Sequence, residues 1–279
     1  MNEHQMLGYI PDDTIIHKLN GTAKLVFLIL LSIACMTTYD TRFLIMMTLF
    51  SLVLFKLSHI KWYQISFVVK FIFVFSLLNI VAVYLFAPEY GVELYHSRTM
   101  IFEGVGRFTL TQEQLFYEFN LVLKYFCTIP LVLIFLLTTN PSEFASSLNQ
   151  IGISYKISYA VALAIRYIPD IQEDFVNISF AQQARGFEMS KKGKLAQRIK
   201  GTAQIVFPLI LSSLDRIETI STAMELRRFG EKKKRTWYAK RPYHHLDFLV
   251  MGIAILLTLL SFGLFKVNGG RFYNPFIKS

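Results

Sequence analysis

The chain has 279 residues, 53% of them hydrophobic, and a mean hydropathy of +0.42. Soluble domains are roughly 45–50% apolar, so an ordinary soluble domain is excluded. The formal net charge of +10 would suit a nucleic-acid binder in a soluble protein, but beside long apolar runs it reads as the positive-inside bias of a membrane protein, with no nucleic acid involved.

In chain order, residues 1–22 are polar, with Glu3, Asp12 and Asp13, and read as a surface segment rather than a cleavable signal peptide. Apolar runs follow at 23–38 and 42–56, turning at Thr38-Tyr39-Asp40-Thr41-Arg42 as a tight hairpin. Runs at 66–86, 117–137 and 247–265 approach the roughly 20 residues a membrane span requires. The expected fold is therefore all-α: a polytopic membrane protein with about five transmembrane helices. Cys35 and Cys127 fall in apolar runs and read as core packing. Lys56 to Lys61 forms a short polar turn. Lys70 and Asn79 interrupt the third run, with Lys70 close enough to its end to snorkel.

The loop at 87–115 carries Glu89, Glu93, Glu103 and Glu113 against Arg98 and Arg107. The stretch 138–246 holds two basic runs, one with Lys191, Lys192, Lys194, Arg198 and Lys200, the other from Arg227 to Arg241. The first loop is expected outside and the second stretch in the cytoplasm, with the N-terminus inside and the C-terminus outside. This divides the chain into N-terminal membrane helices (1–137), a cytoplasmic region (138–246), and a last span with its tail (247–279).

The cytoplasmic region is far longer than a connection requires. Asn140 or Ser142 can cap a short helix with Pro141 in its first turn, running to about Leu148. An apolar segment, 154–168, precedes Pro169-Asp170, which reads as a fresh helix start. Asp170, Glu173 and Asp174 then complement that helix's N-terminal dipole. Gly186 follows Arg185 as a C-terminal cap. A second long helix is expected from about Ala196 to Leu226, bent at Pro208. Two long amphipathic helices that do not span must bury their stripes against each other or against a partner. Small residues on the second would let another helix cross closely, and crossing would bring the two helix ends near one another.

Those ends share a pattern. Ala181-Gln-Gln-Ala184-Arg185-Gly186-Phe187 and Ala223-Met-Glu-Leu226-Arg227-Arg228-Phe229 both read Ala-x-x-x-Arg-x-Phe. A guanidinium beside an aromatic ring is a typical interface anchor, so these tips are the candidate docking residues. Two similar ends imply two similar sockets on a dimeric partner. No phosphate-binding glycine loop, G-x-S-x-G or H-E-x-x-H pattern occurs, and His244-His245 assembles no metal site. No nucleophile, cofactor or metal site is nominated, so any ATP used is hydrolysed by another subunit.

At these residues the chain resembles the transmembrane T component of energy-coupling factor transporters, the CbiQ/EcfT family. His17-Lys-Leu-Asn20-Gly-Thr-Ala-Lys24-Leu25 is similar to the family's H-x-L-D-P-R-x-K-L, with Asn20, Gly21 and Thr22 in place of D-P-R. Thr138-Thr-Asn-Pro141 and Arg166-Tyr-Ile-Pro169 resemble T-T-x-P and R-F-I-P. The two arginine motifs resemble the family's paired Ala-Arg-Gly motifs, with Leu226 replacing Ala and Arg228 replacing Gly in the second. The resemblance implies a non-enzymatic coupling subunit. It would dock two ABC-type ATPase subunits (a homo- or heterodimer) through Ala184, Arg185, Gly186 and Phe187 and through Leu226, Arg227, Arg228 and Phe229. It would also carry a small membrane S component on a platform including Ser213, Ile217, Ser221 and Met224. The cargo would be a vitamin or metal ion, taken up across a prokaryotic plasma membrane. A self-contained secondary transporter would place more polar groups at mid-membrane, and a membrane-embedded enzyme would show a clustered acid, base or metal site.

Overall fold

The computed structural model describes residues 9, 11–102, 108–186, 195–231, 236–238 and 240–276. Its described elements are almost entirely helical and fall into two compact units. One comprises residues 1–143 and 241–279, the other residues 144–240.

The first unit is the membrane unit. A one-turn helix, α1 (Ile15–Lys18), leads into α2 (Gly21–Thr37) and α3 (Thr41–Leu57), of 17 residues each. Their starts are written in side chains. Asn20 accepts from the Thr22 amide at 2.9 Å and Asp40 from the Arg42 amide at 3.0 Å, each satisfying a donor the helix leaves open. The hairpin expected from the sequence forms, turning over Thr38, Tyr39 and Asp40. Then come α4 (Trp62–Phe86), the short α5 (Tyr90–Tyr95), a two-stranded antiparallel ribbon of β1 (Met100–Phe102) and β2 (Leu110–Thr111), α6 (Gln112–Thr138) and, after the second unit, α10 (His245–Val267). Three of these helices are long and apolar enough to cross a membrane: α4 from Ile65 onward, α6 and α10; α2 is a shorter apolar helix. The protein is thus a multi-pass membrane protein.

The core lies where α2, α3 and α6 meet, around Leu31, Ala34, Cys35, Phe43, Leu44, Met47, Cys127 and Leu131. Ala34, Cys35 and Cys127 are fully buried, and small residues at such crossings let helix backbones approach where lipid offers no hydrophobic drive. Both cysteines are free thiols in this core. Pro130 interrupts α6 and leaves the Phe126 carbonyl without its helical donor. Ser51 on α3 donates to it at 3.4 Å.

The polar residues buried among the spans are not the ones the sequence drew attention to. Lys70 on α4 is exposed and Asn79 half-buried. It is α6 that buries Gln114, Glu118, Asn120 and Lys124. Lys124 donates to the Met36 carbonyl at 2.8 Å and stands 3.2 Å from the centroid of the Tyr39 ring. These groups escape a hydropathy reading because strongly apolar neighbours surround them.

The second unit is built on two long helices, α8 (Tyr155–Ala184) and α9 (Leu195–Leu226). The boundary between units falls within α7 (Pro141–Gln150), whose Asn140 cap accepts from the Ser142 amide at 2.9 Å. The expected helix start at Pro169 is overturned: α8 begins at Tyr155, capped by the Ser154 hydroxyl accepting from the Ile157 amide, and runs through Pro169 without a break. The missing amide costs one hydrogen bond inside the helix instead of marking its first turn. The acids after it therefore sit mid-helix and need another partner, which α9 supplies. Arg216 reaches Asp174 at 2.7 Å and Asp170 at 3.7 Å.

Candidate functional site

Both arginine motifs turn out to be helix terminators. At the first, Arg185 caps α8, and Gly186 takes the left-handed conformation at φ +83° while its amide bonds to the Gln183 carbonyl at 2.9 Å. A Cβ at Gly186 would meet nothing within 4 Å, so glycine is required there by backbone conformation and not by space. Ala184 and Arg185 are exposed. Phe187 lies outside the described residues.

The second tip repeats the geometry with different chemistry. Arg227 follows α9, and Arg228 takes the left-handed position at φ +54°. The Arg228 amide bonds to Glu225 O at 2.8 Å and the Phe229 amide to Met224 O at 2.9 Å, the paired bonds of a Schellman cap. In this turn a residue with a Cβ bears a strain of roughly 1–2 kcal/mol that glycine avoids. The Arg228 side chain extends into solvent, 3.8 Å from Glu231.

The two tips also differ in their aromatic residue. Phe229, expected from the sequence as an apolar anchor beside the charge, is half-buried against aromatic residues of its own unit. Its ring lies 4.6 Å from Tyr159 and 5.7 Å from Tyr155, and Trp237 joins the cluster with its indole bonded to Asn149 at 3.1 Å. Leu226, 82% exposed, is the apolar side chain left at this tip. The buttressing aromatics were legible only as the spacing of Tyr155 and Tyr159, one helical turn apart.

The expectation that crossing brings Arg185 and Arg227 together is overturned. Phe229 packs on Tyr159, Arg216 pairs with Asp174, and the Gln182 amide donates to the Gln204 carbonyl at 3.4 Å. Partners advance along α8 as they recede along α9, so the two helices form an antiparallel pair. The arginines lie at opposite ends, roughly 35 Å apart along α8 at 1.5 Å per residue. A helix ends where its partner begins, which separates two C-termini by nearly the length of the pair.

Between the tips, α9 presents Phe207, Leu211, Leu214 and Ile217 at helical spacing, all about half exposed or more. Ile217 is 58% exposed and Ser221 exposed, whereas Ser213 and Met224 are half-buried, Ser213 bonding back to Leu209 O at 2.7 Å. On α8, Ile168, Val176 and Phe180 are exposed too. Neither α8 nor α9 is among the three helices apolar enough to cross a membrane, yet both leave large apolar side chains uncovered, a pattern common where a surface meets a partner.

The sequence model of the CbiQ family, described as "Cobalt transport protein", matches residues 12–238. The chain belongs to the CbiQ family. Its curated relatives include proteins named energy-coupling factor transporter transmembrane protein EcfT. The one from Streptococcus equi subsp. equi (strain 4047) is 26% identical over 266 residues, covering 91% of this chain and 94% of the relative. Those of Staphylococcus aureus (strain 04-02981) and Bacillus subtilis (strain 168) are 26% and 24% identical, covering 91% and 94% of this chain and 96% and 98% of their own lengths. The match to CbiQ proteins thus takes in both arginine motifs, the membrane helices before them and the N-terminal His17–Leu25 stretch.

Proposed function

We propose that this CbiQ-family chain is the T component of an energy-coupling factor importer. It transmits the ATP-driven motion of two ABC-type ATPase subunits to a membrane-embedded S component that carries a micronutrient, a vitamin or a metal ion. The observation that carries this reading is the pair of like-shaped, arginine-capped tips at opposite ends of one antiparallel helix pair. Tips so far apart suit two sockets on two subunits better than one site on one subunit. Arg185 and Arg227 are the contacts, each able to pair bidentately with a carboxylate. Leu226 adds an apolar contact at the second tip, and Phe229 stiffens it from within. The exposed apolar stripe of α9 from Phe207 to Ser221 is the seat of the S component. The basic runs around the tips support an orientation with this unit and the N-terminus in the cytoplasm and the C-terminus outside. Hydrolysis belongs to the ATPases, and cargo selection to the S component.

The test is Arg185→Ala, Arg227→Ala and their combination in the assembled transporter, scored by retained ATPase and by uptake per ATP hydrolysed. Truncating one partner of a desolvated charged pair costs roughly 2–5 kcal/mol. Each single change should therefore weaken ATPase retention, and the double change should abolish it or uncouple hydrolysis from uptake. Normal uptake by a well-expressed double variant rules the assignment out.

A further inference from the structure

The motif His17–Leu25 has no part in either tip. Its residues build a polar network in the membrane unit, at the two places where the chain leaves that unit and returns to it. Glu143 is the last residue before the second unit and Arg241 the first after it, and the two form an ion pair through Arg241 Nε. The Glu143 side chain is 9% exposed. Burial pushes its carboxyl above the ordinary range although Arg241 and Lys24 pull it down; the Arg241 side chain is 42% exposed, so the pair is buried on its carboxylate side.

The N-terminal motif ties this pair to the helices. Arg241 donates to the His17 carbonyl at 3.2 Å, and its own carbonyl accepts from the Asn20 side chain at 2.8 Å. The Asn20 amide donates to Asp247 at 2.8 Å, and the other Asp247 oxygen accepts from the His244 amide at 2.7 Å, capping α10. Lys24 donates to the carbonyls of His17 at 3.3 Å and of Thr138, the last residue of α6, at 2.8 Å. Thus α1, α2, the end of α6, the start of α7 and the start of α10 are held at one point.

We propose that this network is a clasp: the Glu143–Arg241 pair, seated on Asn20 and Lys24, locks the outgoing and returning connections together, so that displacement of the second unit reaches the membrane helices through both at once. If the connections were free to move separately, the second unit could roll about one of them and its motion would be lost before reaching the membrane. Glu143 and Arg241 act in this proposal as positioning residues. The inference rests on the coupling role above for its consequence but not for its geometry, and two measurements keep these apart.

The first is hydrogen exchange on the purified chain alone. Arg241→Gln should speed exchange at residues 139–143 and 241–247 by about tenfold, while Arg241→Lys, which keeps the charge, should do so far less. Unchanged exchange in a folded Arg241→Gln chain overturns the clasp. The second is uptake per ATP hydrolysed, in proteoliposomes containing the chain with its ATPase and S subunits. Glu143→Gln and Arg241→Gln should each lower that ratio by about tenfold, with hydrolysis retained and Arg241→Lys largely coupled. A fold defect would instead reduce the amount of complex and leave the ratio unchanged, and an unchanged ratio with faster exchange overturns the transmitting role. Failure of the coupling reading itself shows separately, as a wild-type chain that retains no ATPase.

Discussion

At the residue scale, one shape serves both tips but one substitution divides them. Gly186 adopts φ +83° freely, whereas Arg228 holds φ +54° with a Cβ. Arg228→Gly should therefore stabilise the chain by about 1 kcal/mol, and Gly186→Ala, in otherwise open space, should destabilise it by about the same. Thermal unfolding in detergent reads both. Were Arg228→Gly to lower stability, the exposed guanidinium would be contributing more through its contacts than its backbone costs. The echo of Ala-x-x-x-Arg-x-Phe was fully legible in the sequence, as was the glycine cap. What could not be read was the fate of Phe229, because its partners Tyr155 and Tyr159 lie some seventy residues earlier in the chain, beyond any local pattern.

At the element scale, the caps carried most of the information. Asn20, Asp40, Asn140 and Ser154 each accept from an amide at a helix start, and the ends of α9 follow its apolar period closely. Pro169 misled for a definite reason. Proline is as acceptable in the first turn as it is awkward in the middle, so pattern alone reads it as a beginning. The tertiary fold keeps it inside α8 and gives the neighbouring acids to Arg216. That pair is about one-third exposed on either side, so Arg216→Ala should cost no more than about 1 kcal/mol. Its clearer effect should be faster hydrogen exchange where Asp170 and Asp174 face α9, with the ends of both helices unchanged. Equal exchange in the variant and the parent chain would show that packing, not the ion pair, sets the contact between these helices.

On the scale of the whole molecule, the residues after α10 stitch the membrane unit together. Asn268 donates to Asp40 at 2.7 Å, the Tyr39 amide donates to Arg271 O at 2.8 Å, and Asn274 donates to Tyr95 O at 2.9 Å. Phe272 stacks on Tyr39 at 4.5 Å, and Phe276 meets Tyr95 and Phe116 edge-on at 5.7 Å each. Ending the chain after Val267 should therefore destabilise the membrane unit by at least about 2 kcal/mol, from the aromatic burial and the hydrogen bonds lost. The second unit should keep its helices, which circular dichroism alongside thermal unfolding will separate.

By itself the sequence determined that the chain crosses a membrane, where most of its long apolar helices lie, and that two helices finish in matching arginine caps. Those properties depend on residues within a few turns of each other, through apolar period, capping side chains and glycine conformation. Only the tertiary structure decided that the caps point to opposite ends of an antiparallel pair. It alone decided that α6, not α4, buries the polar groups, and that His17–Leu25 meets Glu143 and Arg241. Each of these depends on contacts between residues far apart in sequence, where a helix face does not encode which neighbour it will meet or in which direction that neighbour runs.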